Sequence, residues 1–528
     1  MKRLAKTVIL ALVPVFVYGQ FPPVSAAVGT WMMHHGSTSL SGLQLLKGAV
    51  TGPNVKCQVN LGSGEGDPII ADINGDGLNE IVFGNYWTSG TVYAIRGTDC
   101  SIIWSVNVNI GVVTPAAGEL NPFSSGLEIA VTRSDGYLVV LGGTDGSVMW
   151  NRYIGGISGA YNGSAPTIFD ANGDGVGEVY VVGDNIFALN GIDGSTIWSY
   201  PAIGCNTYAG SPFMRYSLVA IGDINNDGQY EVVTTGEISG VCHLIVLRAT
   251  DGMFMWSYNL GYQSNPAIAD LDNDGYDEIV VATRNGMLYA FRYDGTPYWS
   301  VNTGYGSAYI NSPTIADIDG DGYKDVIYGV GSVNIAIRGT DGSTIWNYSG
   351  PYSGYQNQGR KMADIDNDGE IELILTGAGY GPNPRLVVLK ASNGAVEWTQ
   401  NNEGREGSAI GDVDNDGCME VVVSPYIGGG YLAIFDSPTP VSDCGVLGYE
   451  DPVKVEEGYT GGVYLIAEAG KGGIRVETGR KVNVEIYTAD GRKVKVFEVD
   501  KKGFIELSKG VYVLRIKGYN LYKTVIVR

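Results

Sequence analysis

Histidine is almost missing from these 528 residues: there are three, His34, His35 and His243, beside 56 acidic residues. With so few imidazoles, histidine-based proton transfer and histidine-rich zinc sites have little to build on. Cysteine is also scarce, six residues with no Cys-x-x-Cys pair, which removes the usual zinc and redox signatures. Lysine and arginine total 34, and no basic cluster of the kind that neutralises phosphates occurs among the repeats described below, so nucleic-acid binding is disfavoured. Beyond the N-terminus no apolar run approaches the ~20 residues that a membrane-spanning helix needs.

What the chain has in quantity is glycine, 78 residues, tyrosine, 34 residues, and aspartate at fixed spacing. Seven times it spells a nine-residue loop, Asp-x-(Asn/Asp)-x-Asp-Gly-x-x-(Glu/Asp), at Asp72-Asn74-Asp76-Glu80, Asp170-Asn172-Asp174-Glu178, Asp223-Asn225-Asp227-Glu231, Asp270-Asp272-Asp274-Glu278, Asp317-Asp319-Asp321-Asp325, Asp364-Asp366-Asp368-Glu372 and Asp412-Asp414-Asp416-Glu420. Oxygens at positions 1, 3 and 5 can wrap a hard cation, with a carboxylate at 9 to close the shell. The backbone carbonyl at position 7 adds a ligand, from Leu78, Val176, Gln229, Tyr276, Tyr323, Glu370 and Cys418 in turn. Glycine at position 6 permits the reversal, and an all-oxygen donor set suits Ca²⁺ better than zinc or copper. Short apolar runs such as Pro68-Ile69-Ile70-Ala71 and Ile81-Val82-Phe83 flank the loops with no helical period, so each loop should join two strands rather than the two helices of an EF-hand.

The loops begin at residues 72, 170, 223, 270, 317, 364 and 412, and the first interval is double. Its middle holds a degenerate copy, Gly118 to Val131, which keeps Asn121 and Glu128 but not the aspartates and is expected to hold no ion. Eight units thus repeat at about 49 residues; six of them carry an Asp-Gly or Asn-Gly turn of the hairpin type, and seven carry a tryptophan strand, with Trp104, Trp150, Trp198, Trp256, Trp299, Trp346 and Trp398 in order. That period fits one four-stranded propeller blade. The eighth unit lacks its last strand, and Val55 to Leu61 aligns with Ile102 to Val108, placing Cys57 in the tryptophan slot. The expected fold is all-β: an eight-bladed β-propeller over residues 50–437, closed by this N-terminal strand.

The acidic loops resemble the FG-GAP/VCBS repeats of integrin-type propellers. The Tyr-Ala-Ile-x-Gly-x-Asp-Gly-x-x-x-Trp pattern resembles pyrroloquinoline-quinone-like propeller repeats, and within a pre-blade segment over residues 20–49, Trp31 to Gly48, with Gly36 and Leu40, is similar to the segment that often precedes the first blade in that group. Both resemblances imply a scaffold without fixing one activity.

At the N-terminus, Lys2, Arg3 and Lys6 followed by the apolar stretch Val8 to Val17 read as a secretory signal peptide over residues 1–19. Export would place the loops where calcium is plentiful, so that sites of ~0.1–1 mM affinity still fill. The loops carry 25 of the carboxylates, and seven Ca²⁺ ions would bring the formal charge from −22 to −8. The cysteines allow three pairings, of which Cys205 with Cys242 and Cys418 with Cys444 are favoured over Cys57 with Cys100. After Ser437-Pro438-Thr439-Pro440 the composition turns basic, suggesting a linker over 438–460 and a second domain over 461–528. There, short runs with period-two alternation predict a small Ig-like β-sandwich. Ile486-Tyr487, Asp490-Gly491-Arg492, Gly510 to Arg515 and the terminal Val525-Ile526-Val527-Arg528 resemble the C-terminal sorting domain of the type IX secretion system, which implies recognition by secretion machinery.

The leading expectation is a secreted or cell-surface, calcium-stabilised scaffold that binds an extracellular glycan or protein, or associates with copies of itself, without catalysis. An extracellular polysaccharide lyase or glycoside hydrolase is the alternative, since a carboxylate pair can act without histidine, although no pair stands out. A self-assembling surface protein using the glycine-rich stretches near 377–381 and 428–430 is a further reading. A quinone-dependent dehydrogenase is disfavoured, because no adjacent-cysteine pair occurs and tryptophan stripes more often pack blades.

Overall fold

The computed structural model describes residues 30–445, apart from residue 31, residues 34–36 and short stretches between strands such as 206–216, 351–359 and 377–385, together with the strands between 465 and 527. The predicted signal peptide, His34, His35, the glycine-rich stretch at 377–381 and most of the predicted linker lie outside the described residues. The fold is all-β, and among the described residues no helix is long and apolar enough to cross a membrane.

Eight four-stranded antiparallel sheets make the blades. Blade 1 consists of Ile69–Ala71, Glu80–Gly84, Thr91–Arg96 and Ile102–Asn107, running from the axis to the rim. The inner strands of blades 2 to 8 are Ala116–Gly118, Thr167–Phe169, Val219–Gly222, Ala267–Ala269, Thr314–Ala316, Lys361–Ala363 and Arg405–Gly411. Each neighbours the next, and the inner strand of blade 8 lies beside those of both blade 7 and blade 1. Blade 8 takes Val55–Asn60 as its outer strand, paired antiparallel with Tyr431–Phe435. Second strands such as Glu80–Gly84 are buried at every residue, because flanking blades cover both faces, which is why they read as unbroken apolar runs. Outer strands such as Val148–Tyr153 alternate toward solvent at the rim.

The tryptophan stripe joins blade to blade. Trp104, Trp150, Trp198, Trp256, Trp299 and Trp346 each donate the indole N–H to a backbone carbonyl of the following blade, at 2.6–2.7 Å. The ring then covers the glycine of that blade's hairpin turn. At Gly295, with φ +84°, a Cβ would lie 2.8 Å from the Trp256 indole, so the glycine is needed for backbone and for space.

The junction from blade 8 to blade 1 has Cys57 in the tryptophan slot and Cys100 in the glycine slot of the turn, and these two form a disulfide. A covalent link thus replaces the indole contact at the seam between the last blade and the first. A second disulfide joins Cys418 to Cys444. The expected Cys205–Cys242 bridge is corrected: both remain buried free thiols, in side-chain contact, and burial pushes the Cys205 thiol up. Proximity within a unit had favoured that pair over Cys57 and Cys100, whereas the register between blades decides the outcome.

The described residues between 30 and 50 run along the inner strands of the ring. Backbone carbonyls of Met32, Thr38, Ser39, Ser41 and Gly42 accept hydrogen bonds at 2.8–3.0 Å from Ala117, Ile221, Ile268, Ile315 and Met362, so the segment meets the inner strands of blades 2, 4, 5, 6 and 7 in turn. Gln44 Nε2 then reaches Ile410 O of blade 8 at 3.1 Å. Leu40, Leu46 and Val50 are buried among the blades, and the segment leaves near the acidic loops, where Gly48 N donates to Asp364 O. At the other end of the inner strands, Lys361 of blade 7 pairs with Asp67 of blade 1 at 2.8 Å, both with side chains fully buried, while Ser408 N of blade 8 donates to Asp67. The axis is filled by the protein's own chain.

Beyond the propeller, two further sheets form, one of Leu465–Gly470, Gly473–Thr478 and Lys502–Glu506, the other of Lys493–Val499, Val482–Thr488, Gly510–Ile516 and Tyr522–Val527.

Candidate metal centres

All seven acidic loops adopt one conformation, set by a ladder of carboxylates accepting backbone N–H groups. The position-1 aspartate accepts from the glycine at position 6 in each loop, at 2.8–3.1 Å. The position-5 aspartate accepts from the residue at position 7, at 2.8–2.9 Å. Positions 4 and 6 both take positive φ, as at Asn226 (54°) and Gly228 (84°), which explains why position 4 is always glycine or asparagine. The residue at position 9 starts the second strand and is buried; in six of the seven loops its inner oxygen accepts the position-2 amide, for example Val413 N to Glu420 Oε2 at 2.8 Å.

These bonds draw the carboxylates together. In the loops beginning at Asp170, Asp270, Asp317 and Asp364, three carboxylate oxygens, one from position 9 each time, lie within 4.8 Å of one another. Among the described residues, five buried carboxylate oxygens have no hydrogen-bond partner: Asp270 Oδ1, Asp325 Oδ2, Glu372 Oε1, Asp412 Oδ1 and Glu420 Oε1. Buried polar atoms are normally satisfied, and all five of these sit at positions 1 or 9 of an acidic loop, where a cation would meet them. An all-oxygen donor set with several carboxylates fits a hard divalent ion such as Ca²⁺.

The degenerate loop of blade 2 makes the contrast. Glu128 still accepts the Leu120 and Asn121 amides at 2.8 and 2.9 Å, but the Ser124 hydroxyl donates to its outer oxygen, so the pocket is satisfied internally.

Neighbouring loops also touch. Asn79 Nδ2 of blade 1 donates to Asp412 O of blade 8 at 2.6 Å, Asn273 Nδ2 to Gly322 O at 2.8 Å, and Lys324 Nζ to Asp270 O at 3.2 Å. A cation held in one loop would therefore brace the seam with the next.

Burial, reinforced by neighbouring like charges, pushes Glu80, Glu178, Glu278 and Asp325 up to about 7, Glu231 to about 8, Glu372 to about 9 and Glu420 to about 10. Because these folded values exceed the unfolded ones, metal-free protein binds more protons folded than unfolded across roughly pH 5–8, and its stability falls as pH rises. A bound Ca²⁺ would cancel that fall, since the ion would displace those protons. Calorimetry is expected to give a higher melting temperature for metal-stripped protein at pH 5.5 than at pH 8, and a larger calcium-induced rise at pH 8.

Sequence reasoning missed the basic residues around the loops. Arg292 contacts Asp272, Asp274 and Glu278 at 2.9–3.2 Å, and Arg338 contacts Asp319 and Asp321 at 3.2 and 2.6 Å. Lys390 contacts Asp368 at 3.0 Å and also Glu370, Lys56 contacts Asp414, and the buried Lys47 lies 3.5 Å from Asp364. Their distance from position 9 varies with hairpin length, which hides them in the sequence.

Comparison with known proteins agrees with this architecture. Residues 270–328 match the model of the FG-GAP-like repeat, and residues 80–211 match that of the outer membrane protein assembly factor BamB. No curated protein matches the chain. Among solved structures, the quinohemoprotein alcohol dehydrogenase of Comamonas testosteroni is 13% identical with a TM-score of 0.56, covering 79% of this chain and 82% of its own. The V. cholerae biofilm matrix protein Bap1 is 14% identical with a TM-score of 0.53, over 78% and 92%. A europium-containing methanol dehydrogenase is 12% identical with a TM-score of 0.53, over 76% and 90%. The chain is an eight-bladed β-propeller with a stretch that matches the FG-GAP-like repeat and another that matches the BamB model, a fold that carries enzymes and other proteins alike.

Proposed function

We propose that the protein is a non-enzymatic, calcium-stabilised propeller that works outside the cytoplasm as a binding scaffold for a glycan, a protein or a neighbouring copy of itself. The observation that carries this reading is the set of buried, unpartnered carboxylate oxygens in the acidic loops. Seven loops hold Ca²⁺ through positions 1, 3, 5 and 9 and the carbonyl of position 7, and the N-terminal strand closes the ring by completing blade 8. A signal peptide directs export, and the C-terminal sheets form an Ig-like sandwich that secretion machinery recognises.

The acidic loops occupy the face on which the inner strands end. The chain enters every inner strand from the opposite face, and that second face is assigned to the ligand, since contacts there leave the structural ions undisturbed.

The test is a glycan array probed with the purified protein, with and without calcium, beside a digestion assay on the same polysaccharides. Binding without unsaturated or reducing-end products is expected. Product formation that persists in purified wild-type protein would overturn the non-enzymatic reading in favour of a polysaccharide-degrading enzyme.

A further inference from the structure

The seven loops divide into two sets by the residue at position 3. Blades 1, 3 and 4 carry Asn74, Asn172 and Asn225; blades 5 to 8 carry Asp272, Asp319, Asp366 and Asp414. The first set has three ligand carboxylates per loop and the second has four. In blades 1 and 3 the asparagine amide clasps the outer oxygen of position 9, Asn74 Nδ2 to Glu80 Oε1 at 3.0 Å and Asn172 Nδ2 to Glu178 Oε1 at 2.7 Å. An aspartate cannot donate that bond, and all the buried carboxylate oxygens without a partner at positions 1 and 9 belong to the aspartate loops.

Basic side chains follow the same division. Each aspartate loop has a lysine or arginine on its carboxylates at position 3 or 5: Arg292, Arg338, Lys390 and Lys56. The first three come from the end of the third strand, directly across from position 9 as Lys390 is from Glu372. In blade 8 that place is held by Asp436, and Lys56 of the N-terminal strand bridges Asp414 and Asp436 instead. In the asparagine loops the equivalent residues turn elsewhere or carry no charge. Arg96 donates to Ser101, Arg248 binds Asp251, and blade 3 has Asn190.

We propose that Arg292, Arg338, Lys390 and Lys56 are built-in counter-ions that offset the fourth carboxylate and so lower the calcium affinity of the aspartate loops toward that of the asparagine loops. The inference rests on the calcium reading. A fourth carboxylate alone would tighten a site, because affinity rises with ligand charge. A cation 3 Å from the same oxygens opposes the ion, both by repulsion and because Arg292 occupies Glu278 Oε1, an oxygen the ion would use. Offsetting the fourth carboxylate brings the aspartate loops closer in net charge to the asparagine loops, and in blade 7 the buried Lys47, 3.5 Å from Asp364, adds a second cation.

A double-mutant cycle in blade 5, on the full-length protein, tests this. Calcium is titrated against a chromophoric chelator, and the melting temperature of the metal-stripped form is recorded in parallel. For Arg292→Ala, one site is expected to bind about 3–10-fold tighter, the effect of removing one partly solvated charge, while the metal-free melting temperature falls. Arg292→Ala combined with Asp272→Asn returns that site toward wild-type affinity, and Arg292→Lys keeps it near wild type. A merely structural arginine would weaken binding and stability together; unchanged or weaker binding in Arg292→Ala therefore overturns the proposal. If that variant does not fold, Arg338→Ala, whose side chain is about a third exposed, carries the same expectation. Absence of calcium binding in the wild type would instead overturn the calcium reading itself, a distinct outcome.

Discussion

Removing calcium is expected to lower the melting temperature by about 6–16 °C. An ion that binds only the folded state stabilises it by RT ln(1 + [L]/Kd), which at ~2 mM calcium and ~0.1–1 mM affinity is about 0.7–1.8 kcal/mol per site. Seven sites together contribute on the order of 5–13 kcal/mol. A propeller of this length has an unfolding entropy near 0.8 kcal/mol/K, which converts that range to the stated shift. Scanning calorimetry in calcium and after exhaustive chelation checks it, with magnesium as the control ion, since Mg²⁺ demands a tighter octahedral shell than these loops offer. The physical basis is local: the loops hold inner and second strands together and also touch across blades, as Asn79 does with Asp412. An unchanged melt would remove the role assigned to the ions.

The second large effect concerns the segment inside the ring. Deleting residues 21–48 while keeping Val55–Asn60 is expected to lower the melting temperature by 10 °C or more, or to leave the chain unable to close. The deletion strips Leu40 and Leu46, each worth about 1.5–3 kcal/mol when buried, and takes away the carbonyls that the Ala117, Ile221, Ile268, Ile315 and Met362 amides donate to. Water entering the channel satisfies those amides but not the exposed apolar lining. A synthetic peptide spanning residues 28–50 added in trans should restore part of the loss. Equal melting of deleted and full-length chains would mean that the segment merely occupies the channel.

How far these features could be read in advance follows from the distance over which each is specified. The blade count, the loops and the hairpins depend on residues within one unit of about 49, so the spacing of Asp72, Asp170, Asp223 and their successors exposes them directly. The outer strand of blade 8 was legible for the same reason, since Val55 to Leu61 copies the tryptophan strand. Contacts between units were harder. Cys57 and Cys100 stood in the tryptophan and glycine slots that meet across six other junctions, so their pairing was encoded in the repeat register, but local proximity had pointed to Cys205 and Cys242.

The path of residues 30–50 had no signal at all. The described residues of the segment form no strand or helix, and their backbone carbonyls bond to five different blades, so no period appears. The counter-ions were hidden by geometry of a different kind: Arg338 lies 13 residues after Asp325 and Lys390 lies 18 after Glu372, although both face position 9 across the sheet.

The central claim, that seven loops bind calcium within a ring of eight blades, is tested most directly by anomalous scattering from crystals grown in calcium or exchanged with terbium. Seven peaks are predicted, one beside each of Glu80, Glu178, Glu231, Glu278, Asp325, Glu372 and Glu420, and none beside Glu128, where Ser124 fills the pocket. Loops without peaks at millimolar calcium, or a peak in blade 2, would contradict the account.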